Sequence, residues 1–245
     1  MIDTDATSYE LALSRPGIAF LPVGATEQHF GILPLNTDIR QSVRLATDIA
    51  SAFNNSYLLP ALPFGTSLEN TGAEGTITLM PSTLAAVVGD VVESLYRQDF
   101  EFVVIVNSHG GNFALRPAVR EINYRNAGRK TIFVDPWEIV PAASIAGIFE
   151  GKNELHCGEM ETSVMLYLEP EVVRSEHVVS GEPDATRGEL DMFSIPVLAG
   201  GKPWGLAEKA SEAKGKAFYD LMVRHSVEFI EKIIERHRKN PSYHG

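Results

Sequence analysis

The chain of 245 residues carries 21 Lys and Arg against 32 Asp and Glu, a net charge of −11, and 44% apolar side chains. The acidic balance argues against a nucleic-acid or anionic-membrane partner, since phosphate binding needs a concentrated basic face, while the apolar content suffices for the core of one α/β domain over 1–245. A single cysteine, Cys157, leaves no internal disulfide, and without a basic, apolar leader or an apolar run near the ~18 residues of a membrane span, the expected location is cytoplasmic.

A short helix over 8–15 leads into Ile18–Val23, an apolar run that reads as a buried strand. After Gly24-Ala25-Thr26 comes the densest stretch of ligand-type side chains: Glu27-Gln-His29-Phe-Gly-Ile-Leu-Pro-Leu-Asn-Thr-Asp38. Open α/β sheets place their sites at such strand ends. Asp38 is positioned to N-cap a helix over 39–53, whose Val43, Ala46 and Ile49 keep helical spacing. Both a cap and a metal-ligand role are open to it.

Residues 57–62 read as a second strand. The connection 63–76, which includes Phe64, Ser67 and Asn70, is Gly-rich, polar and longer than an ordinary turn, which marks it as functional or mobile. Strand-like alternation resumes over 76–79. Ser82 then caps a helix over 83–98 that buries Leu84, Val87, Val88, Val91, Val92 and Leu95.

The β-branched run 101–106 is the clearest central strand, and it feeds directly into Asn107-Ser-His109-Gly-Gly-Asn112. A histidine is more often structural than functional. Its place at a strand tip, between Asn107 and a glycine pair that lets backbone approach a ligand, makes His109 a site candidate. A helix over 113–127 and a strand over 130–134 follow, then Asp135-Pro-Trp137 and a short helix before Gly151.

The segment His156-Cys-Gly-Glu159-Met-Glu161-Thr-Ser163 opens a helix that runs to 168 and is ended by Pro170. Glu161 shares a face with Val164, Met165 and Leu168, which puts a carboxylate on the inward side, where it needs a cation, a donor or a proton. His156 and Glu159, three apart, read either as a proton-transfer pair or as a structural hydrogen-bonded pair. Cys157 beside His156 in sequence does not make a nucleophile dyad. Residues 169–205 form loop with short elements, among which Trp204 is a packing or pocket residue. From 207 to 239 the pattern is helical, with Phe218, Leu221, Met222, Phe229 and Ile233 in one stripe and His225 packed within it.

Collected, Glu27, His29, Asp38, His109 and Glu161 give two imidazoles and three carboxylates. That donor set suits zinc first, then manganese or iron(II), better than calcium. With Asp38 as a bridge, it describes a two-metal hydrolytic centre with open positions for water. His156, and after it Glu159, is the candidate acid for a leaving nitrogen, and Phe30, Ser67, Asn70 and Trp137 are candidate pocket walls.

Three blocks, Glu27-Gln-His29 through Leu33-Pro-Leu-x-Thr-Asp38, Asn107-x-His109-Gly-Gly-Asn112 and His156-x-Gly-x-x-Glu161-Thr-Ser163, resemble in order and separation the signatures of the creatininase (creatinine amidohydrolase) family; Gly75-Thr-Ile-Thr-Leu79 resembles a further segment. The resemblance implies a three-layer α/β/α sandwich with a mostly parallel sheet, two divalent metal ions, a small-molecule substrate and a homo-oligomer, commonly a hexamer. By the same resemblance Glu27, His29, Asp38 and His109 match family ligands. Departures fall at Phe30 for the usual glycine, Ile32 for a histidine, and Gly111 where creatinine-cleaving members carry a glutamate. They turn the expectation from creatinine towards another amide, formamide or cyclic amide. The alternatives are a non-amide bond in an oxidised cyclitol or sugar, or a binding protein without turnover.

Overall fold

The computed structural model describes residues 1–126 and 128–240. Its sheet has four parallel strands in the order β2-β1-β3-β4: β1 is Ile18–Val23, β2 Ser56–Leu58, β3 Phe102–Asn107 and β4 Lys130–Val134. The helices among the described residues are α1 (Ser8–Ser14), α2 (Thr37–Ser51), α3 (Pro81–Tyr96), α4 (Leu115–Arg125), α5 (Pro136–Ile139), α6 (Ala142–Ile145), α7 (Glu159–Leu168), α8 (Ile195–Leu198) and α9 (Glu212–Lys239). None is long and apolar enough to cross a membrane.

Every residue of β1 and β3 is buried, as parallel strands covered on both faces must be. Successive side chains alternate between two cores. Phe20, Val104, Val106 and Ile132 meet Leu45 and Ile49 of α2, Val164 of α7, and Phe218 and Met222 of α9. Ala19, Leu21, Val103 and Ile105 meet Leu84, Val88 and Val92 of α3 and Leu115, Val119 and Ile122 of α4. The result is the three-layer α/β/α sandwich, with a sheet that is wholly parallel.

Strand order decides where a site can form. From β1 the chain passes through α2 to β2 on one side, then through α3 to β3 on the other side of β1. The connections therefore diverge between the C-terminal ends of β1 and β3, leaving a crevice there.

Several boundaries differ from the sequence reading, each for a local reason. Asp38 is not the N-cap of α2: that position is Asn36, and Asp38 is the second helical residue, its side chain free to point elsewhere. Val43 is exposed. β2 stops at Leu58 before Pro60, although Leu59 and Leu62 still donate to the carbonyls of Phe20 and Pro22. Residues 76–79 make one antiparallel bridge, Ile77 with Thr26, rather than a strand. α3 starts at Pro81, whose missing N–H costs nothing in the first turn, so Ser82 is inside the helix. α4 begins two residues later than expected, and the expected end at Ala127 lies outside the described residues.

α7 begins at Glu159 and not at His156, because the N–H groups of Leu155 and His156 both donate to the Trp204 carbonyl and hold that segment extended. Residues 207–209 are a 3₁₀ turn, and α9 starts at Glu212. On α9, Phe218, Tyr219, Met222 and Ile230 are the buried face, Leu221, Phe229 and Ile233 lie beside it, and His225 is partly buried with Nδ1 3.1 Å from Glu228.

Candidate metal centre

Glu27 and His29 arrive on the loop after β1, Asp38 on the first turn of α2, His109 on the loop after β3 and Glu161 on the first turn of α7. All but Glu161, which is 15% exposed, are essentially sealed from solvent. Close backbone contact sets this up. A Cβ on Gly24 would sit 2.7 Å from the Ile39 nitrogen, so only glycine lets α2 press its N-terminus onto the end of β1. Ser108 Oγ donates to the Asp38 carbonyl and ties the β3 loop to the same turn. Asn112 Nδ2 donates to the Gly24 carbonyl and to Asn107 Oδ1, while its Oδ1 accepts from the Thr66 N–H.

Asp38 divides its carboxylate between two halves of the cluster. Its Oδ1 lies 3.5 Å from His29 Nε2, which is also 3.3 Å from Glu161 Oε1. Oδ2 lies 3.2 Å from His109 Nδ1, which is 3.3 Å from Glu27 Oε1. His156 adds a third ring, with Nδ1 3.6 Å from Glu27 Oε1. Their ligand atoms fall into three groups within 4.8 Å of one another: Glu27, Asp38 and His109; His29, Asp38 and Glu161; and Glu27, His29 and His156.

The outer nitrogens explain which atoms face inward. His29 Nδ1 contacts the Glu27 carbonyl at 3.1 Å, His109 Nε2 the Thr66 carbonyl at 2.9 Å and His156 Nε2 the Gln28 carbonyl at 2.7 Å. A carbonyl only accepts, so each outer nitrogen carries the proton and the inner one presents a lone pair. Lone pairs then face carboxylate oxygens across the cluster, and Asp38 Oδ2 is buried with no hydrogen-bond partner. Acceptors opposed at these distances need cations or extra protons between them. Nitrogen and carboxylate donors, a divided bridging carboxylate and an orphaned oxygen fit a pair of divalent ions.

Electrostatics says the same. Burial opposes a charge on His29, yet Glu161 and Asp38 hold it well above the usual imidazole range, and Glu27 and Asp38 do so for His109. Burial would raise Asp38 and Glu27, but the imidazoles, His109 foremost, pull both below the usual carboxylate range. The carboxylates are thus arranged to hold positive charge at the two rings.

The other sequence candidates divide. Trp137 and His156 line a cavity of about 250 Å³ whose floor includes Glu27, Asp38, His109 and Glu161, with Leu155, Met160, Asp135 and Arg187 on its walls. Ser67 and Asn70 lie behind the cluster, fully buried: Ser67 Oγ is 3.2 Å from His109 Nε2, and Asn70 Nδ2 donates to Glu27 Oε2 at 2.8 Å. They hold ligands and do not form the wall expected of them. Phe30 packs its ring on His156 at 5.8 Å and has φ of 51°, a left-handed conformation that costs a phenylalanine about 1 kcal/mol and a glycine almost nothing.

Glu159 is a correction. With the helix starting there, its side chain turns from the cavity into the protein, where it accepts from the N–H groups of Glu150 and Gly151 and pairs with Lys214 of α9. It belongs to the packing of α7 on α9. Cys157 is buried and its Sγ donates to the His29 carbonyl at 3.2 Å; burial pushes the thiol well up, so no thiolate nucleophile is available.

Two carboxylates escaped the sequence reading. Asp135 follows β4, and the strand-end rule that picked out His109 would have found it; burial pushes it up to about 6 despite hydrogen bonds from Asn107 Nδ2 and the Trp137 N–H. Glu69, in the 63–76 connection, lies 3.4 Å from His109 Nε2, and burial raises it too.

Comparison with known proteins places this geometry. The family profile described as creatinine amidohydrolase matches residues 3–230. A mycofactocin precursor peptide peptidase of Mycobacterium ulcerans is 30% identical over 246 residues, covering 93% of this chain and 89% of that protein. The creatinine amidohydrolase of Pseudomonas putida is 28% identical over 225 residues, covering 84% and 86%. Among solved structures, a crystal structure of creatinine amidohydrolase superposes with a TM-score of 0.79 at 25% identity, over 94% of this chain and 97% of that one.

Proposed function

Since the chain belongs to the creatininase (creatinine amidohydrolase) family, we propose that it is a two-metal hydrolase that cleaves the C–N bond of a small amide, formamide or cyclic amide, or of the last residues of a peptide. The observation that carries this reading is Asp38, which offers one oxygen to His29 and Glu161 and the other to His109 and Glu27 at the floor of a small cavity. Zinc is the first choice on donor chemistry, manganese or iron the alternatives. Glu27, Asp38 and His109 would hold one ion, and His29, Asp38 and Glu161 the other. When bound, such a pair supplies Lewis acidity for the carbonyl and an ionised water near neutral pH.

The chain's own residues do the rest. His156 keeps Nε2–H on the Gln28 carbonyl, so any proton it exchanges with the cavity travels on Nδ1 alone. That atom can accept a proton from the attacking water and return it to the leaving nitrogen. Trp137, Leu155 and Met160 give apolar walls that exclude bulk water, and Arg187, held by the Glu154 carbonyl at 2.7 Å, stands at the rim. A cavity of about 250 Å³ takes a small molecule or a chain end and not a folded protein. Gly111 and Asn112 in the Asn-x-His-Gly-Gly-Asn block, with Phe30 over His156, support a substrate other than creatinine.

Elemental analysis and a substrate panel test the proposal. About two transition-metal ions per chain are expected, with turnover of at least one class among formamides, lactams, acyl amides and short peptides. Protein that takes up no zinc, manganese or iron overturns the metal reading. Metal-loaded protein that cleaves only lactones or oxidised cyclitols overturns the amide reading.

A further inference from the structure

Gly111 stands in unusually crowded space. A side chain there would collide with Glu69 Oε1, the Thr66 carbonyl oxygen and His109 Nε2. Glu69, only 15% exposed, reaches from the 3₁₀ turn Leu68–Asn70 to within 3.4 Å of that nitrogen, and no Lys or Arg pairs with its carboxylate among the described residues. On the opposite edge of the same ring, Nδ1 faces Glu27 Oε1 at 3.3 Å and Asp38 Oδ2 at 3.2 Å.

Orientation alone does not account for Glu69. The Thr66 carbonyl at 2.9 Å and Ser67 Oγ at 3.2 Å already fix the Nε2 edge. A nearly buried carboxylate is costly to keep where neutral acceptors would suffice. What it adds is negative charge behind a ligand ring, which makes the opposite nitrogen a stronger donor to a cation.

We propose that Glu69 is a positioning residue that strengthens His109 Nδ1 as a ligand for one of the two ions. The inference rests on the two-metal reading, deepens it, and gives it an asymmetry: an ion held by Glu27, Asp38 and His109 would have a charged supporting residue behind its imidazole, whereas among the described residues the outer nitrogen of His29 meets the neutral Glu27 carbonyl alone.

The test uses the full chain loaded with zinc, titrated against a chromophoric chelator. Glu69→Gln keeps the shape and removes the charge; it should weaken one zinc by about 10- to 100-fold and leave the other unchanged. Glu69→Asp should recover part of the loss. Two unchanged affinities in Glu69→Gln, or an equal loss at both sites, would overturn the proposal, the latter because it marks a merely structural role of the loop. Should the variants fail to fold, the 15N shifts of His109 in the zinc-loaded wild type decide: an Nε2 displaced towards imidazolate supports it, an ordinary Nε2–H shift overturns it. Wild-type protein that binds no zinc refutes the two-metal reading itself; two bound zincs with an unresponsive Glu69→Gln refute this inference alone.

Discussion

Asp38→Asn is the sharpest test of the bridge. The substitution keeps the volume of a side chain that is 2% exposed, and Ser108 continues to hold the residue's backbone carbonyl. What it removes is one negative charge shared between two halves of the cluster, 3.5 Å from His29 Nε2 and 3.2 Å from His109 Nδ1. A unit charge at ~4 Å contributes about 4 kcal/mol at an effective dielectric constant near 20. At 1.4 kcal/mol per tenfold, each ion should bind roughly a thousandfold more weakly. Metal content after dialysis and competition against a chelator read this directly, and activity should vanish with it. Ion-free protein should also lose stability at neutral pH, because His109 and His29 hold Asp38 below the usual carboxylate range and its ionised form therefore favours the fold. A variant that loses one ion and keeps the other would restrict Asp38 to a single site. Retention of both would refute the bridging assignment.

His156→Ala should keep both ions yet lower kcat by about 10²- to 10⁴-fold, the usual loss on removing a general acid–base; loss of metal instead would make His156 a ligand, as its 3.6 Å approach to Glu27 also permits. Lys214→Met should destabilise the fold by on the order of 3 kcal/mol, by leaving the fully buried Glu159 without its cation, while metal content stays unchanged in elemental analysis. A fall in bound metal would return Glu159 to the site. In metal-free protein the raised His29 and His109 contribute stability that is complete below the unfolded imidazole value and lost as pH rises through their folded values. Thermal unfolding of the metal-free chain should therefore weaken with alkalinity above neutral pH, and zinc should flatten the profile; a metal-free profile that is already flat would contradict the cluster electrostatics.

How far the sequence could be read depended on what each feature requires. Strands β1 and β3 were legible because burial on both faces demands unbroken apolar runs, and Glu27, His29 and His109 followed from standing just past their ends. Periodicity could not show that α7 begins at Glu159, since the cause is a pairing of residues 155–156 with Trp204, some fifty positions away. That one displaced boundary misassigned Glu159. Likewise, residue type marked Ser67 and Asn70 as polar groups in a functional loop, but only the fold shows that they face the backs of His109 and Glu27 and not the cavity. The glutamate between them went unremarked because nothing local links residue 69 to residue 111.

The cluster makes little sense as a purely structural feature, and that is the strongest physical argument for its ions. Each ring is locked from outside by a backbone carbonyl, of Glu27, Thr66 or Gln28, so the inner nitrogens are aimed before anything binds. Carboxylates meet those lone pairs at 3.2 to 3.6 Å, and Asp38 Oδ2 is left without a donor. A packed core with no ligand to accommodate would relieve this opposition by turning a ring or replacing a carboxylate with an apolar residue, often at a gain in stability. Here the opposition is maintained by carbonyls from two separate loops, with Gly24 and Gly111 keeping the space they need. Donor atoms are held in place from outside, as expected where their partner is a cation.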